Sequence, residues 1–475
     1  MSRWVHSCPG TTICMNIFWH RRDLRTVDNA GLSAASRDGN VLPIYIYDPD
    51  LFKKIGARQQ AFWLAGVQAL KTIYRERDSD LLVRIGSPAD IIPELVDEYD
   101  IETVYCNSHY RPGRRTRRQH VERELAASDA SLDARTDHVL VDPGRLDSSY
   151  SNHSQFHRDW ETVPKRGPYD APDADQLIGI SDGKTIAVPD VDISLPPAGP
   201  EAAAKRFDRF CNQALFQYND MRDDLPAAVE NPTTSVSRLS PYIAGGMIGI
   251  RSLWNRTQNL ADSVSGRERR NAEKFPYELS WREQNYHLLY YNPDLAVENY
   301  NEFPNQMQWR EDKDDFNAWT AGETGYPLVD AGMRQLNQEG YIHNRPRQVV
   351  ASFLSKHLLI DWRRGARYFT KQLIDHDYAS NYGNWQWIAS TGTDSVDVRI
   401  FDPVSQMAKY DDGAAFVRHY VPELSDVPTE EIIEWPTLNH GKRNRLCPEY
   451  AEPIVDRNDG YERAQQRFER ALGKR

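Results

Sequence analysis

His343–Asp394 reads HNRPRQVVASFLSKHLLIDWRRGARYFTKQLIDHDYASNYGNWQWIASTGTD and crowds arginines, acidic residues, amides and tryptophans around two helical runs. Val349, Val350, Phe353, Leu354 and Leu358 recur at the helical period, and Pro346 stands where a first turn tolerates a missing N–H. That spacing predicts a helix with one buried face, and Arg345 and Arg347 flank its start beside Asn344. A second helix is expected over Ala366–Ile374, followed by a polar loop with Asp375, Asp377 and Asn381 that cannot build a core. Trp385 and Trp387 lie two apart, which on a helix separates them by about 200°, so one can meet a ligand while the other faces inward. Taken singly, each tryptophan reads as a core aromatic. The whole string reads as a site.

With 475 residues, 40% of them hydrophobic, the chain has room for two large domains. No run of about 20 apolar residues occurs. The opening MSRWVHSCPGTTICMNIFWH lacks the zones of a secretion signal. A soluble, cytoplasmic protein without a membrane partner is expected. Cys8, Cys14, Cys106, Cys211 and Cys447 show no paired spacing, so reduced thiols and no metal site are expected. The formal charge of −11 argues against non-specific attraction to a polyanion. Arginine carries most of the positive charge and aspartate much of the negative, a balance that suits solubility in high salt. Nucleic-acid binding would then depend on a local basic patch, shape and stacking.

From Ile13 to Asp142 apolar runs alternate with helical segments. Ile13–Trp19, Val41–Tyr47, Leu81–Ile85, Thr103–Cys106 and His138–Val141 read as strands, Arg58–Glu76 and Ala89–Tyr99 as helices. The alternation predicts an α/β, doubly wound, mainly parallel sheet. No G-x-G-x-x-G follows the first strand, which argues against a nicotinamide enzyme. After that strand comes WHRRDLRTVDN, whose Arg21, Arg22, Asp23 and Arg25 read by themselves as a solvated turn. RPGRRTRR, Arg111–Arg118, reads as a solvated helix face rather than a DNA site. Residues 143–200 are rich in Pro, Gly, Asp and Ser, an interdomain connector. Residues 201–475 read as helical with long loops. The expected division is an α/β domain over 13–142, the connector, and a larger helical domain over 201–475.

Two further segments of the helical part carry candidate chemistry. VSRLS, Val236–Ser240, leads through Pro241 towards Gly245-Gly246 and reads as a turn into a helix. Its serines are first of all caps, yet two hydroxyls, Arg238 and exposed N–H groups also suit a diphosphate. In YELSWREQNYHL, Tyr277–Leu288, spacings of three and four place Glu278, Trp281, Arg282 and Asn285 on one helix face, which could line a pocket.

HNRPR, NWQWIASTGTD, YELSWREQNYHL and WHRRDLR together resemble the DNA photolyase and cryptochrome family, and the resemblance runs over nearly the whole chain from Ile13 onward. It implies an FAD cofactor. Tyr218 and Val236, Ser237, Arg238, Leu239 and Ser240 would meet the cofactor, with Val236 replacing the family's usual Thr. Asp375, His376 and Asp377 would hold the flavin end and ribose, and Trp281, Arg282 and Asn285 are further cofactor contacts. Arg347 and Asp375 match an ion pair beside the isoalloxazine ring. Asn381 matches the amide facing the flavin N5, where animal cryptochromes carry Cys and plant ones Asp. Trp281 and Trp387 would form two walls for a flipped pyrimidine pair, at about 1 to 3 kcal/mol of stacking per base. Glu278 and Asn344 match enzymes for cyclobutane dimers rather than six-four lesions. Arg222, Arg282, Asn285, Arg345, Arg399 and Gln406 are the implied DNA or lesion contacts, while Gln348 departs from the Met of well-known members. Trp309, Trp362 and Trp385 match the electron-relay tryptophans, and Trp319 does not.

The activity so implied is light-driven repair of cyclobutane pyrimidine dimers by electron transfer from excited reduced FAD, a carbon–carbon lyase acting on UV-damaged DNA. A cryptochrome-type FAD blue-light receptor and an aromatic-rich single-strand binder are the alternatives. The N-terminal domain should house an antenna chromophore. A deazaflavin is favoured over methenyltetrahydrofolate, because Ala296 and Val297 stand where folate-binding relatives carry polar or basic contacts. A monomer is expected. Met1 and Met15 are both candidate starts, and Met15 suits the family's usual start better.

Overall fold

The computed structural model describes residues 14–393 and 398–474, so Met1, Cys8, Ile13, Asp394 and Arg475 fall outside the described residues. Strands β1 (Met15–His20), β2 (Asn40–Tyr47), β3 (Leu82–Ile85), β4 (Thr103–Asn107) and β5 (Ser131–Arg135) form one sheet in the order β3-β2-β1-β4-β5. Every pairing is parallel. Side chains of β1 alternate between two cores: Phe18 packs with Phe62 and Leu70 on one face, Ile17 and Trp19 with Ile92 and Leu95 on the other. Both faces are covered, as a parallel sheet requires. The helix Ala57–Arg75 covers the first face, and Pro88–Tyr99 and Pro112–Leu125 the second. The doubly wound α/β sheet followed by a helical part, as read from the sequence, is the observed architecture.

Four readings need correction. The fifth strand is Ser131–Arg135, not His138–Val141. It pairs only with β4 at the sheet edge and is largely half-exposed, so its sequence lacks an apolar run. His138–Val141 is irregular, and its apolar character serves burial: the Glu283 carboxylate accepts the amides of Leu140 and Val141. The turn after β1 is not solvated, because Arg21, Arg22, Asp23 and Arg25 are all buried. In the basic run, Arg114 is buried with its guanidinium over the Trp63 ring, whereas Arg115 is exposed. The connector is packed rather than loose. Its helix His153–Thr162 buries Phe156 and Trp160 completely, and Trp160 donates to Glu283 at 2.7 Å. Further on, Ile178 N–H bonds Val41 O beside the sheet at 2.9 Å.

The helical part centres on the long helix Gly266–Tyr291 and on the helices Asn344–Ser352, Trp362–Gln372 and Tyr378–Ile388, around a core containing Trp319, Phe353, Trp362 and Trp385. The Asn344 helix passes into a π-helical turn at Phe353–His357, a distortion common at functional sites. One sheet core continues into this part through Phe207, Phe210, Leu253 and Leu279, so the two parts share apolar contacts. Among the described residues the four cysteines are free, no cluster of metal-ligating side chains occurs, and no helix is long and apolar enough to cross a membrane.

Charges also bind the two parts together. Arg251, from the helical part, meets Asp28 at 2.6 Å and Asp137 at 2.5 Å, and Arg25 meets Asp137 at 2.6 Å, all buried. Truncating one partner of such a group leaves a buried charge uncompensated. Arg251→Ala is therefore expected to cost about 3–5 kcal/mol of stability, read as a lowered midpoint of urea unfolding.

Candidate active site

The long helix and the Tyr378–Ile388 helix approach closely because Gly383 has no side chain: a Cβ there would lie 2.0 Å from Asn285 Oδ1. This contact brings Trp281 and Trp387 together, with ring centroids 6.4 Å apart and planes at 55°. The two indoles form an open V rather than a closed slot. Trp387 also lines a cavity of about 500 Å³ with Asn344, Arg347, Gln348, Asn381 and Trp385. Trp385 is core-buried at 3% exposure, as the two-residue spacing suggested. Both tryptophans nevertheless reach the cavity, which spans more than one face of their helix.

The chemistry of the cavity wall is that of a polar ligand site. Arg347 meets Asp375 at 3.2 Å through one terminal nitrogen, and its Nε is buried without a protein partner. Away from this wall, the Nε atoms of Arg238 and Arg345, and Gln406 Oε1, are also buried without a protein partner. A buried donor of this kind calls for a partner, be it water, an ion or a ligand. Asn381 donates from Nδ2 to Ala366 O at 3.1 Å, so its Oδ1 remains as an acceptor. His343, which burial lowers to about 4 and so keeps neutral, accepts from Arg345 N at the start of the Asn344 helix.

Around VSRLS, Arg238 adopts φ of 52°, an uncommon conformation for a side-chain-bearing residue and one concentrated at functional sites. Its guanidinium lies 3.9 Å over the Tyr341 ring and pairs with Glu339 at 2.7 Å. Arg206, which the sequence reading missed, donates to Ser237 O at 2.6 Å and Val236 O at 3.2 Å, fixing the segment's carbonyls. Ser237 Oγ accepts from Leu239 N at 3.4 Å, Leu239 is buried, and Ser240 begins the short helix to Gly245. Tyr218 packs edge-on to Phe210 and Phe275.

The remaining candidates divide between the V and the domain seam. Glu278 Oε1 accepts from Arg222 at 2.8 Å and Lys274 at 2.9 Å. Arg345 pairs with Asp223 at 2.9 Å and lies over Tyr410, and the Arg399 guanidinium is 5.4 Å from the Trp387 ring. Arg282, grouped by spacing with Trp281, instead donates to His138 O at 2.8 Å and lies over Tyr286. Asn285 donates to Trp281 O at 3.2 Å. Asp377 is committed to the seam: Oδ1 caps the Tyr378 helix through Ser380 N, and Oδ2 accepts from Arg22 and Tyr286. Burial alone would raise its pKa, but the Arg22 and Arg282 guanidiniums hold it far below the usual carboxylate range. His376 bonds Thr370 Oγ1 at 3.1 Å, and Gln59 of the sheet domain donates to its carbonyl at 2.7 Å. Trp362 is fully buried and donates to Asn299, while Trp309 is partly exposed beside Phe468. Trp319 stands 6.3 Å from Trp385.

Residues 16–173 match the DNA photolyase family model, and residues 275–470 match the FAD binding domain of DNA photolyase. The chain is 38% identical to a deoxyribodipyrimidine photo-lyase of Halobacterium salinarum, over 97% of this chain and 100% of that one. The chain belongs to the DNA photolyase family. Its fold superposes on a class III photolyase from Agrobacterium tumefaciens with a TM-score of 0.87 at 32% identity, covering 98% of this chain and 99% of that one. A cryptochrome from Synechocystis gives 0.86 at 26% identity, covering 96% and 100%. The cavity lined by Arg347, Asn381 and Trp385 thus lies in the family's FAD-binding domain, and the unpartnered Arg347 Nε on its wall is a donor that suits an anionic, many-acceptor cofactor.

The seam carries its own pH dependence. Burial lowers His138 and His376 each to about 3. Both are neutral when folded and take up a proton only on unfolding below pH about 6.5. Stability therefore falls as pH drops from about 6.5 towards 3, by about 1.4 kcal/mol per pH unit for each histidine. Urea midpoints measured across this window should decline, and His138→Gln should make the decline shallower.

Proposed function

We propose that the protein repairs cyclobutane pyrimidine dimers in UV-damaged DNA, driven by light. The observation that carries this reading is the V of Trp281 and Trp387 opening beside the cavity that holds Asn344, Asn381 and Arg347. Two tilted indoles offer stacking faces to a pair of joined, non-coplanar bases, and a base that has lost its pairing is the least costly to flip out. Glu278 and Asn344 hydrogen-bond the lesion. Arg222, Arg345, Arg399 and Gln406 hold the backbone, and Asn285 sets the spacing of the two tryptophan helices.

Tyr218 and the Val236–Ser240 segment hold the FAD phosphates, with Arg238 supplying charge. Arg347 would supply a positive charge to the bound flavin, and Asn381 Oδ1 would be free to accept a hydrogen bond from it. Asp375 orients Arg347, and Asp377 and His376 hold the loop in place. When bound, reduced FAD absorbs near-UV or blue light and supplies one electron to the dimer, whose two cyclobutane carbon–carbon bonds open before the electron returns. Trp385 and Trp362 are buried and Trp309 is partly exposed, and the three would serve as a relay for electrons from an external reductant towards a bound flavin. The crevice at the strand ends, lined by Trp19, Arg21, Tyr45, Trp63, Arg114 and Arg117, is the place we assign to the antenna chromophore, read as a deazaflavin from Ala296 and Val297.

The likeness to a cryptochrome keeps a blue-light receptor as the second reading, and one assay separates the two. The FAD-loaded protein is incubated with thymine-dimer DNA in blue light and in darkness. Dimers should disappear in light only. Trp281→Ala and Trp387→Ala should each weaken dimer binding about 5- to 150-fold, the equivalent of roughly 1–3 kcal/mol of stacking per base. No repair in light, or repair in the dark, overturns the proposal.

A further inference from the structure

The Trp281 ring is tilted 55° from that of Trp387, and His153 of the connector helix lies flat against it, with ring centroids 3.6 Å apart and planes within 7°. His153 is almost fully buried, and both of its ring nitrogens are engaged: Nε2 meets Ser280 Oγ at 2.9 Å and Nδ1 meets Tyr277 OH at 3.1 Å. Ser280 donates its one hydroxyl hydrogen to Tyr277 O at 2.7 Å and so accepts from His153 Nε2–H. His157 Nδ1 stands 3.0 Å from the same hydroxyl oxygen. In that tautomer Nδ1 keeps a lone pair for the Tyr277 O–H. Burial, with His157 and Lys274 nearby, lowers His153 to about 3, so the ring laid on the indole is neutral at working pH.

Residues 277 and 280 of the long helix thus anchor, through hydrogen bonds, the ring that backs residue 281 of the same helix. We infer that His153 is a positioning residue for damaged-base recognition: it fixes the plane of Trp281, and with it the mouth of the V, before DNA arrives. The inference rests on the reading of Trp281 as a lesion wall. A half-exposed indole without backing has to be ordered when the lesion binds, and that ordering weakens binding. The connector thereby contributes to the site and is more than a spacer between domains.

The test compares His153→Ala, His153→Phe and Trp281→Ala in the FAD-loaded protein. The readouts are affinity for a thymine-dimer duplex, affinity for the undamaged duplex, flavin content, and repair yield per absorbed photon at saturating DNA. His153→Ala should lose about 3- to 10-fold in dimer affinity, with undamaged-DNA affinity, flavin content and saturated yield unchanged. His153→Phe, a flat ring without the two anchors, should recover most of the loss. Should His153→Ala fail to fold, Ser280→Ala keeps the imidazole but removes one of its two anchors, and should show a smaller selective loss. Equal loss on damaged and undamaged DNA, loss of flavin, no loss in a folded variant, or no rescue by Phe overturns the inference. If Trp281→Ala leaves dimer affinity intact, the lesion-wall reading itself fails. If Trp281→Ala loses affinity and His153→Ala does not, only the positioning role fails.

Discussion

One buried carboxylate, Asp377, ties together the three elements that shape the site. Its Oδ2 accepts from Arg22 at the end of β1 and, at 2.6 Å, from Tyr286 of the long helix. Its Oδ1 caps the helix that carries Trp385 and Trp387. Arg22 in turn bonds Tyr286 OH at 2.9 Å and His109 at 3.1 Å. A buried ion pair adds little net stability over an apolar replacement, but it tolerates few alternative arrangements, and fixing one arrangement is its best-attested use. Trp387 lies ten residues, about 15 Å of helix, beyond Asp377, and Trp281 lies just over one turn before Tyr286. The angle between the indoles is therefore set where the sheet domain meets the helices, by groups that never touch the cavity.

Local pattern revealed the sheet because β1 to β4 are buried apolar runs separated by helices of ordinary length. It failed at β5, where an edge strand with half-exposed residues carries almost no apolar signal, while the irregular His138–Val141 carries a strong one. Periodicity reports burial, and burial is not confined to regular elements. The charged turn after β1 was misread for the converse reason. Arg22 and Arg25 look solvated locally because their partners, Asp377 and Asp137, lie 355 and 112 residues away. Pairing at such separations leaves no local trace. The connector's composition correctly announced irregular backbone, but Phe156 and Trp160 make it part of the core, and His153 stacks on Trp281.

Within the site, helix spacing grouped Glu278, Trp281, Arg282 and Asn285, and the structure keeps them on one helix while giving them separate partners. Arg282 turns to a carbonyl across the seam and Glu278 to Arg222 and Lys274. Spacing specifies a face, and a long side chain can still swing to either edge of it. Arg206 and Tyr341 escaped notice because each works by contact with the Arg238 segment, and neither lies in a motif. The positive φ of Arg238 is invisible in sequence, since only glycine advertises that conformation.

The rim of the V bears on how an acidic chain could bind DNA at all. Asp223 stands 2.9 Å from Arg345 and 3.8 Å from Arg222, and Glu278 takes a second contact from Arg222. These carboxylates look like neutralisers, yet each guanidinium has five N–H donors, so pairing orients the groups without exhausting them. The carboxylates thus orient two guanidiniums at the rim and leave them N–H donors to spare. The net charge of −11 acts differently, as a repulsion spread over the whole surface. Salt screens that repulsion over a Debye length of about 10 Å at 0.1 M and about 3 Å at 1 M, while contacts at hydrogen-bond distance are screened far less. The two charge scales are therefore separable: salt that weakens most DNA-binding proteins also screens the spread repulsion of this acidic chain.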